Sequence, residues 1–269
     1  MASKVRRACR RCGTEFEVVK VGAELATICG ECVGQTENDE IERRAEARRK
    51  WLAARLAFID GGEWDDVPFW RAINCPPVFH FASLRELGRD FEREAAKWSA
   101  DAMRSILTIW GERGVGKTRA LWAIAYYETR EQAKRAARAA ADDIRGPADA
   151  IDWARVALGA FRFERITDLV ISIQGMVADG MSAVEKRLRE LAEFPGVLLL
   201  DDLGAEKTTP FVEQCLYSVI CRREEWVRRT AITTNLSLDQ VAEQLGDRIA
   251  SRISGHVVRF TGKDRRLAE

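Results

Sequence analysis

From about residue 100 onward, short apolar runs alternate with stretches of helical period. Residues 105–110 form an apolar run that reads as a buried strand, and further strands fit 161–164, the GVLLLDD run at 196–202, TAITT at 230–234 and 256–260. A helix over 117–127 continues into the Ala/Arg-rich EQAKRAARAAADD segment and is stopped by Gly146 and Pro147. Five strands with crossover helices predict an α/β domain, a five-stranded parallel sheet lying between helices. Upstream, a helix is expected over 83–98, preceded by a loop carrying Asp65, Asp66, Pro68, Pro76 and Pro77.

The first hundred residues are patterned differently. In 38–60 the apolar residues Ile41, Ala45, Trp51, Leu52, Leu56 and Ile59 recur at helical spacing before Gly61 and Gly62, which predicts a helical connector. Residues 1 to about 35 contain only short strand-like pieces such as 15–19, too little to bury a core without a covalent or metal staple. The resulting division is a module at 1–36, a connector at 37–66 and a main domain at 67–269.

Composition narrows the function classes. Charged residues make up 32% of the 269-residue chain but nearly cancel, 43 Lys and Arg against 42 Asp and Glu, so any nucleic-acid contact must be local. No apolar run approaches the ~20 residues of a membrane span and no signal sequence opens the chain, so a cytoplasmic location is expected. Four of the seven cysteines fall in two pairs, a pattern closer to metal binding than to a disulfide scaffold.

Between the 105–110 strand and the following helix lies GERGVGKT, residues 111–118, a complete G-x-x-x-x-G-K-[ST] loop in its required setting. Gly111, Gly114 and Gly116, with Val115, let the backbone aim its N–H groups at phosphate, and the helix N-terminus adds positive potential there. Lys117 is expected to reach the β- and γ-phosphates of ATP, and the Thr118 hydroxyl to ligate Mg²⁺. An acidic pair after a strand often closes a turn, but downstream of such a loop Asp201 is expected to hold Mg²⁺ and Asp202 to polarise the attacking water. Asn235, at the end of TAITTN, can orient that water or touch the γ-phosphate, or simply begin a turn. Arg248 and Arg252, four apart in GDRIASRI, share a helical face, either as surface ion-pair partners or as donors to a phosphate held by a neighbouring subunit.

In this order, GERGVGKT, VLLLDDLGAEKTT, TAITTNLS and GDRIASRI resemble the DnaC/DnaI-type replicative helicase loaders of the AAA+ superfamily and the related IstB-type transposition ATPases, over about residues 68–262. The resemblance implies an AAA+ ATPase with Asn235 as its first sensor, Arg252 as an arginine finger acting between subunits of an oligomer, and Arg248 in support. The DnaA initiators share the DDLG string, but residues after 260 leave little room for their C-terminal helix-turn-helix. A connection over 130–160 longer than these families usually have is a departure, and Arg265 or Arg266 falls near the place of a second sensor.

Cys9-x-x-Cys12 and Cys29-x-x-Cys32 are 16 residues apart, the spacing of a closed four-cysteine Zn²⁺ site that would be structural. Lys4, Arg6, Arg7, Arg10 and Arg11 surround the first pair and suit nucleic acid, but Glu15, Glu17, Glu24 and Glu31 dilute that field and favour docking to protein. DnaI-type loaders resemble this layout, with a zinc-containing N-terminal domain that engages the hexameric replicative helicase. By resemblance, then, the expected activity is ATP-dependent loading of a replicative DNA helicase on single-stranded DNA. An IstB-like regulator of a transposase and a nucleotide-gated adaptor with little turnover are the alternatives.

Overall fold

The computed structural model describes residues 4–19, 29–61, 67–101, 103–140, 151–178, 180–205 and 209–262. Its contacts divide the chain into two compact units, one containing residues 1–58 and 137–149, the other 59–136 and 150–269.

The first unit opens with an antiparallel hairpin of β1 (Lys4–Ala8) and β2 (Glu15–Val19). β1 has no counterpart in the sequence reading, because its RRA end carries no apolar alternation. The hairpin turn is closed by Cys9 N–H donating to Thr14 O and Gly13 N–H donating to Cys9 O, both at 2.9 Å, with Gly13 at φ 79°. Helix α1 (Gly30–Gly61) begins eight residues before the expected start, so that Cys29 and Cys32 bracket its first turn. Along its exposed middle, Glu40–Arg44 and Glu46–Lys50 pair at i,i+4, contacts worth only tenths of a kcal/mol each.

The second unit opens with α2 (Val67–Ala72), a 3₁₀ turn at Pro77–Phe79 and another at Leu84–Leu87. Gly88, at φ 94°, then separates that turn from α3 (Arg89–Ala100), so the helix expected over 83–98 is broken. There follow β3 (Ile106–Gly111), α4 (Lys117–Ala139), α5 (Trp153–Ala160), β4 (Phe161–Arg165), α6 (Ile166–Val177) and α7 (Met181–Glu193). β5 (Val197–Leu203), α8 (Pro210–Glu225), β6 (Thr230–Thr234), α9 (Leu238–Leu245), α10 (Asp247–Arg252) and β7 (His256–Phe260) complete it.

The five strands form a parallel sheet in the order β4-β5-β6-β3-β7. The order goes with burial: β3, β5 and β6 are buried on both faces and occupy the centre, whereas β4 and β7 are only partly buried at the edges. Leu198, Leu200 and Ile232 of the sheet pack with Leu169 and Ile173 of α6, Leu191 of α7 and Leu216 and Ile220 of α8 in one buried cluster. On the other face Trp70 stacks on Tyr126 of α4, with ring centroids 5.3 Å apart. Crossover helices return each chain segment to the same end of the sheet, so the carboxyl ends of β3, β5 and β6 converge. No helix among the described residues is long and apolar enough to cross a membrane.

Candidate functional site

The loop after β3 turns through three left-handed glycines, Gly111 (φ 155°), Gly114 (φ 76°) and Gly116 (φ 100°), and enters α4 at Lys117. Gly111 is fixed for a second reason: a Cβ there would collide with the carbonyl oxygen of Phe260 on β7. Val115 is buried beneath the loop. The Lys117 ammonium is folded back into it, donating to Gly111 O at 2.9 Å, Glu112 O at 2.6 Å and Asn235 Oδ1 at 2.7 Å. A lysine 7% exposed with such acceptors is a positive charge held ready at a helix N-terminus, where phosphate oxygens can take over its hydrogen bonds.

The acidic pair is placed by a break in the sheet register. Leu200 pairs with Ile232 and Leu203 with Thr234, so Asp201 and Asp202 together oppose the single residue Thr233. In a regular strand adjacent side chains face opposite ways; the bulge, with Asp202 left-handed at φ 65°, re-aims them. Asp201 accepts hydrogen bonds from Thr118 Oγ1 at 3.1 Å and from Thr233 Oγ1 at 2.6 Å. Thr233 Oγ1 in turn accepts from the Asp202 backbone N–H at 2.9 Å, and Asp202 Oδ1 accepts from Asn235 Nδ2 at 3.2 Å. Burial pushes the Asp201 carboxyl up, and the Asp202 charge adds to this, against the hydrogen bonds from Thr233 and Thr118 and the field of Arg165. A buried carboxylate that resists ionisation, beside a hydroxyl, is a hard-oxygen pair that fits Mg²⁺.

Asn235 is held from both sides. Thr234 Oγ1 donates to Leu203 O at 2.7 Å and accepts from Leu236 N–H at 3.1 Å, and α9 starts from a capping box in which Ser237 and Gln240 satisfy each other's backbone N–H. Lys117, Thr118, Asp202 and Asn235 thus line one cavity of about 800 Å³, with Gly114, Gly116, Arg113, Arg119, Val78, Phe79 and Ala205. That volume accommodates a nucleoside triphosphate.

No family model matches the chain. Over 89 residues it is 32% identical to the uncharacterized protein YdaV of Escherichia coli (strain K12), a match covering 33% of this chain and 35% of that protein, about a third of the relative's length. Among solved structures, DnaI superposes with a TM-score of 0.50 at 22% identity, covering 71% of this chain and 94% of that one. Domain III of the replication initiation protein DnaA from Thermotoga maritima gives 0.52 at 15% identity, covering 71% and 70%. The second unit has the fold of these two structures. At these identities the likeness speaks for the fold alone.

In this unit the two arginines of α10 differ. Arg252 is engaged within its own chain in an ion pair with Glu224 of α8, which raises its already high pKa. Arg248 is exposed and makes no hydrogen bond or ion pair with the described residues. Neither arginine is among the residues lining the nucleotide-sized cavity. Glu206, Lys207, Arg265 and Arg266 lie outside the described residues.

In the N-terminal unit the thiol sulfurs of Cys9, Cys12, Cys29 and Cys32 all lie within 4.8 Å of one another, with Cys12 and Cys29 at 3.7 Å. Tetrahedral sulfurs around zinc, with Zn–S bonds of about 2.3 Å, stand about 3.8 Å apart, so the four fit that ion. Cys9 accepts backbone N–H bonds from Arg11 and Cys29, each at 3.4 Å. Chiefly the Cys29 N–H brings its thiol down to about 6, whereas contact with Cys12, with burial, holds Cys32 at about 12. A divalent cation resolves that conflict by stabilising all the thiolates together.

Two residues carry no motif signal: Thr233, whose hydroxyl joins the Asp201 carboxylate to the Asp202 backbone N–H, and Arg223, which is wholly buried. Arg223 donates to the carbonyls of Leu191, Phe194, Gly196 and Arg229 and to Thr230 Oγ1, pinning the amino end of the sheet. Its signal is periodic instead: Val212, Cys215, Leu216, Val219, Ile220 and Arg223 recur at helical spacing, with the arginine on the buried face.

Proposed function

We propose that this chain is an ATP-binding and ATP-hydrolysing AAA+ protein of replication initiation, a loader that docks a replicative helicase and places it on single-stranded DNA. The observation carrying this reading is the convergence of Lys117, Thr118, Asp201, Asp202 and Asn235 at the carboxyl end of a sheet whose fold is shared with DnaI. Lys117 exchanges its carbonyl and amide partners for phosphate oxygens, and Thr118 with Asp201 holds Mg²⁺. The metal, when bound, neutralises charge on the β- and γ-phosphates. Asp202 and Asn235, hydrogen-bonded to each other, orient the attacking water. Arg252 leaves Glu224 when chains associate through the AAA+ domain and reaches the nucleotide of a neighbour, with Arg248 in support, so that turnover depends on assembly.

The organisation goes with that role: a zinc module at 1–36 that engages the helicase hexamer, a helical connector at 37–66 and the ATPase at 67–269. A cytoplasmic setting keeps the four cysteines reduced for zinc. The test is capture on the immobilised full chain from a host extract with Mg·ATP, repeated with Lys117→Ala. A replicative helicase retained in a nucleotide-dependent way supports the loader; a transposase in its place, or no nucleotide-dependent partner, contradicts it.

A further inference from the structure

Arg119 follows the cradle's Thr118 on the first turn of α4 and lines the same cavity, yet its guanidinium turns away from the phosphate end. Nε and Nη2 donate to the two carboxylate oxygens of Glu86 at 2.5 and 3.1 Å, Nη1 donates to Val78 O at 3.3 Å, and Nη2 also to His80 O at 3.4 Å. One side chain therefore grips residues 78–86 at three points. That segment supplies Val78 and Phe79, which with Ala205 are the apolar side chains lining the cavity beside Lys117, Asp202 and Asn235.

The segment has few other anchors. Its internal turns are single hydrogen bonds, Phe79 N–H to Pro76 O, His80 N–H to Pro77 O and Ala82 N–H to Phe79 O; Ala82 is buried, and Phe81, at φ 60° with half its surface exposed, sets its ring edge-on to Trp70. Its second fixed point is His80, stacked on buried Trp70 with centroids 6.0 Å apart and bonded through Nε2 to Cys75 O at 3.0 Å. Without the arginine, the stretch from Val78 to Glu86 is joined to α4 by no other hydrogen bond or ion pair found among the described residues.

We infer that Arg119 is a positioning residue that sets the wall against which the planar base of the nucleotide rests. This rests on the reading of the cavity as a nucleotide site. Because Thr118 and Arg119 are consecutive, one turn of α4 carries both part of the phosphate cradle and the residue that holds the base wall. A lysine cannot replace the arginine, since a single ammonium does not span a carboxylate and two carbonyls with fixed fork geometry.

The test compares Arg119→Gln and Arg119→Lys with the unaltered chain for binding of Mg·ATP and of Mg·tripolyphosphate, which has the phosphates and no base, both by competition against a fluorescent ATP analogue. ATP is expected to bind about tenfold more weakly in both variants while the tripolyphosphate constant moves less than twofold. Glu86→Gln, which leaves α4 untouched, is expected to reproduce the pattern at about threefold. Unchanged ATP affinity overturns the inference, and so does an equal loss for both ligands. Failure of the unaltered chain to bind either ligand would instead overturn the nucleotide site itself.

Discussion

The side-chain oxygen of Asn235 accepts a 2.7 Å hydrogen bond from the Lys117 ammonium while its amide nitrogen donates to Asp202 at 3.2 Å. One amide therefore joins the loop lysine to the second carboxylate of the acidic pair. Asn235→Ala removes the second contact from the reacting centre but leaves Lys117 its carbonyl partners in the loop. We expect ATP affinity within about threefold of the unaltered chain and a kcat lower by about 10². A mutant that loses affinity and keeps kcat would assign Asn235 to binding only.

Asp201 gives a pH prediction. Its folded-state pKa is raised by burial, so above that value the metal-free fold carries a charge it disfavours, and below the unfolded value near 3.9 the carboxyl is protonated in both states. The penalty appears as pH rises from the unfolded value toward the raised folded one. Asp201→Asn is expected to raise the thermal midpoint of the metal-free protein at pH 7, to leave it unchanged near pH 3.5, and to abolish stabilisation by Mg·ATP. Thermal melts at the two pH values, with and without Mg·ATP, check all three.

For the N-terminal unit, protein purified without chelator is expected to carry one zinc per chain. Chelation should reduce helical ellipticity, since Cys29 and Cys32 bracket the start of α1, and leave Mg·ATP affinity within about twofold. Metal analysis showing no zinc, or full zinc retention by Cys12→Ser, would remove the closed four-thiolate site.

Much of this was legible because the relevant signals are local. The strand ends, the glycine loop and the Asn235 position follow from apolar runs and turn chemistry within a dozen residues, whereas the strand order does not, since central β6 reads TAITT. The bulge at Asp201 and Asp202, which brings Asp202 to the cavity, was not legible, because it depends on how β5 registers against Thr233 of β6, a long-range pairing no window contains. Arg119 gave no warning for the same reason: its partner Glu86 is 33 positions away. Arg252 shows the limit of motif reading, since its spacing placed it on a helical face but did not reveal Glu224 as the neighbour that holds it.

That ion pair leads to a prediction about assembly. Arg252→Ala and Lys117→Ala chains are each expected to hydrolyse ATP at under about 5% of the normal rate, while a mixture recovers part of it, because some interfaces join an intact nucleotide site to an intact arginine. Steady-state ATPase titrations of one variant into the other measure this. Normal turnover by Arg252→Ala alone under assembling conditions would place Arg252 outside the reaction.

The central claim is that the cavity above β3, β5 and β6 is a Mg·ATP site built on Lys117. Calorimetric titration of Mg·ATP into the full chain and into Lys117→Ala tests it most directly. We predict one site per chain in the first, and binding weakened at least about 10²-fold in the second with its thermal midpoint in the absence of nucleotide essentially retained; equal affinity in the two proteins would contradict the account.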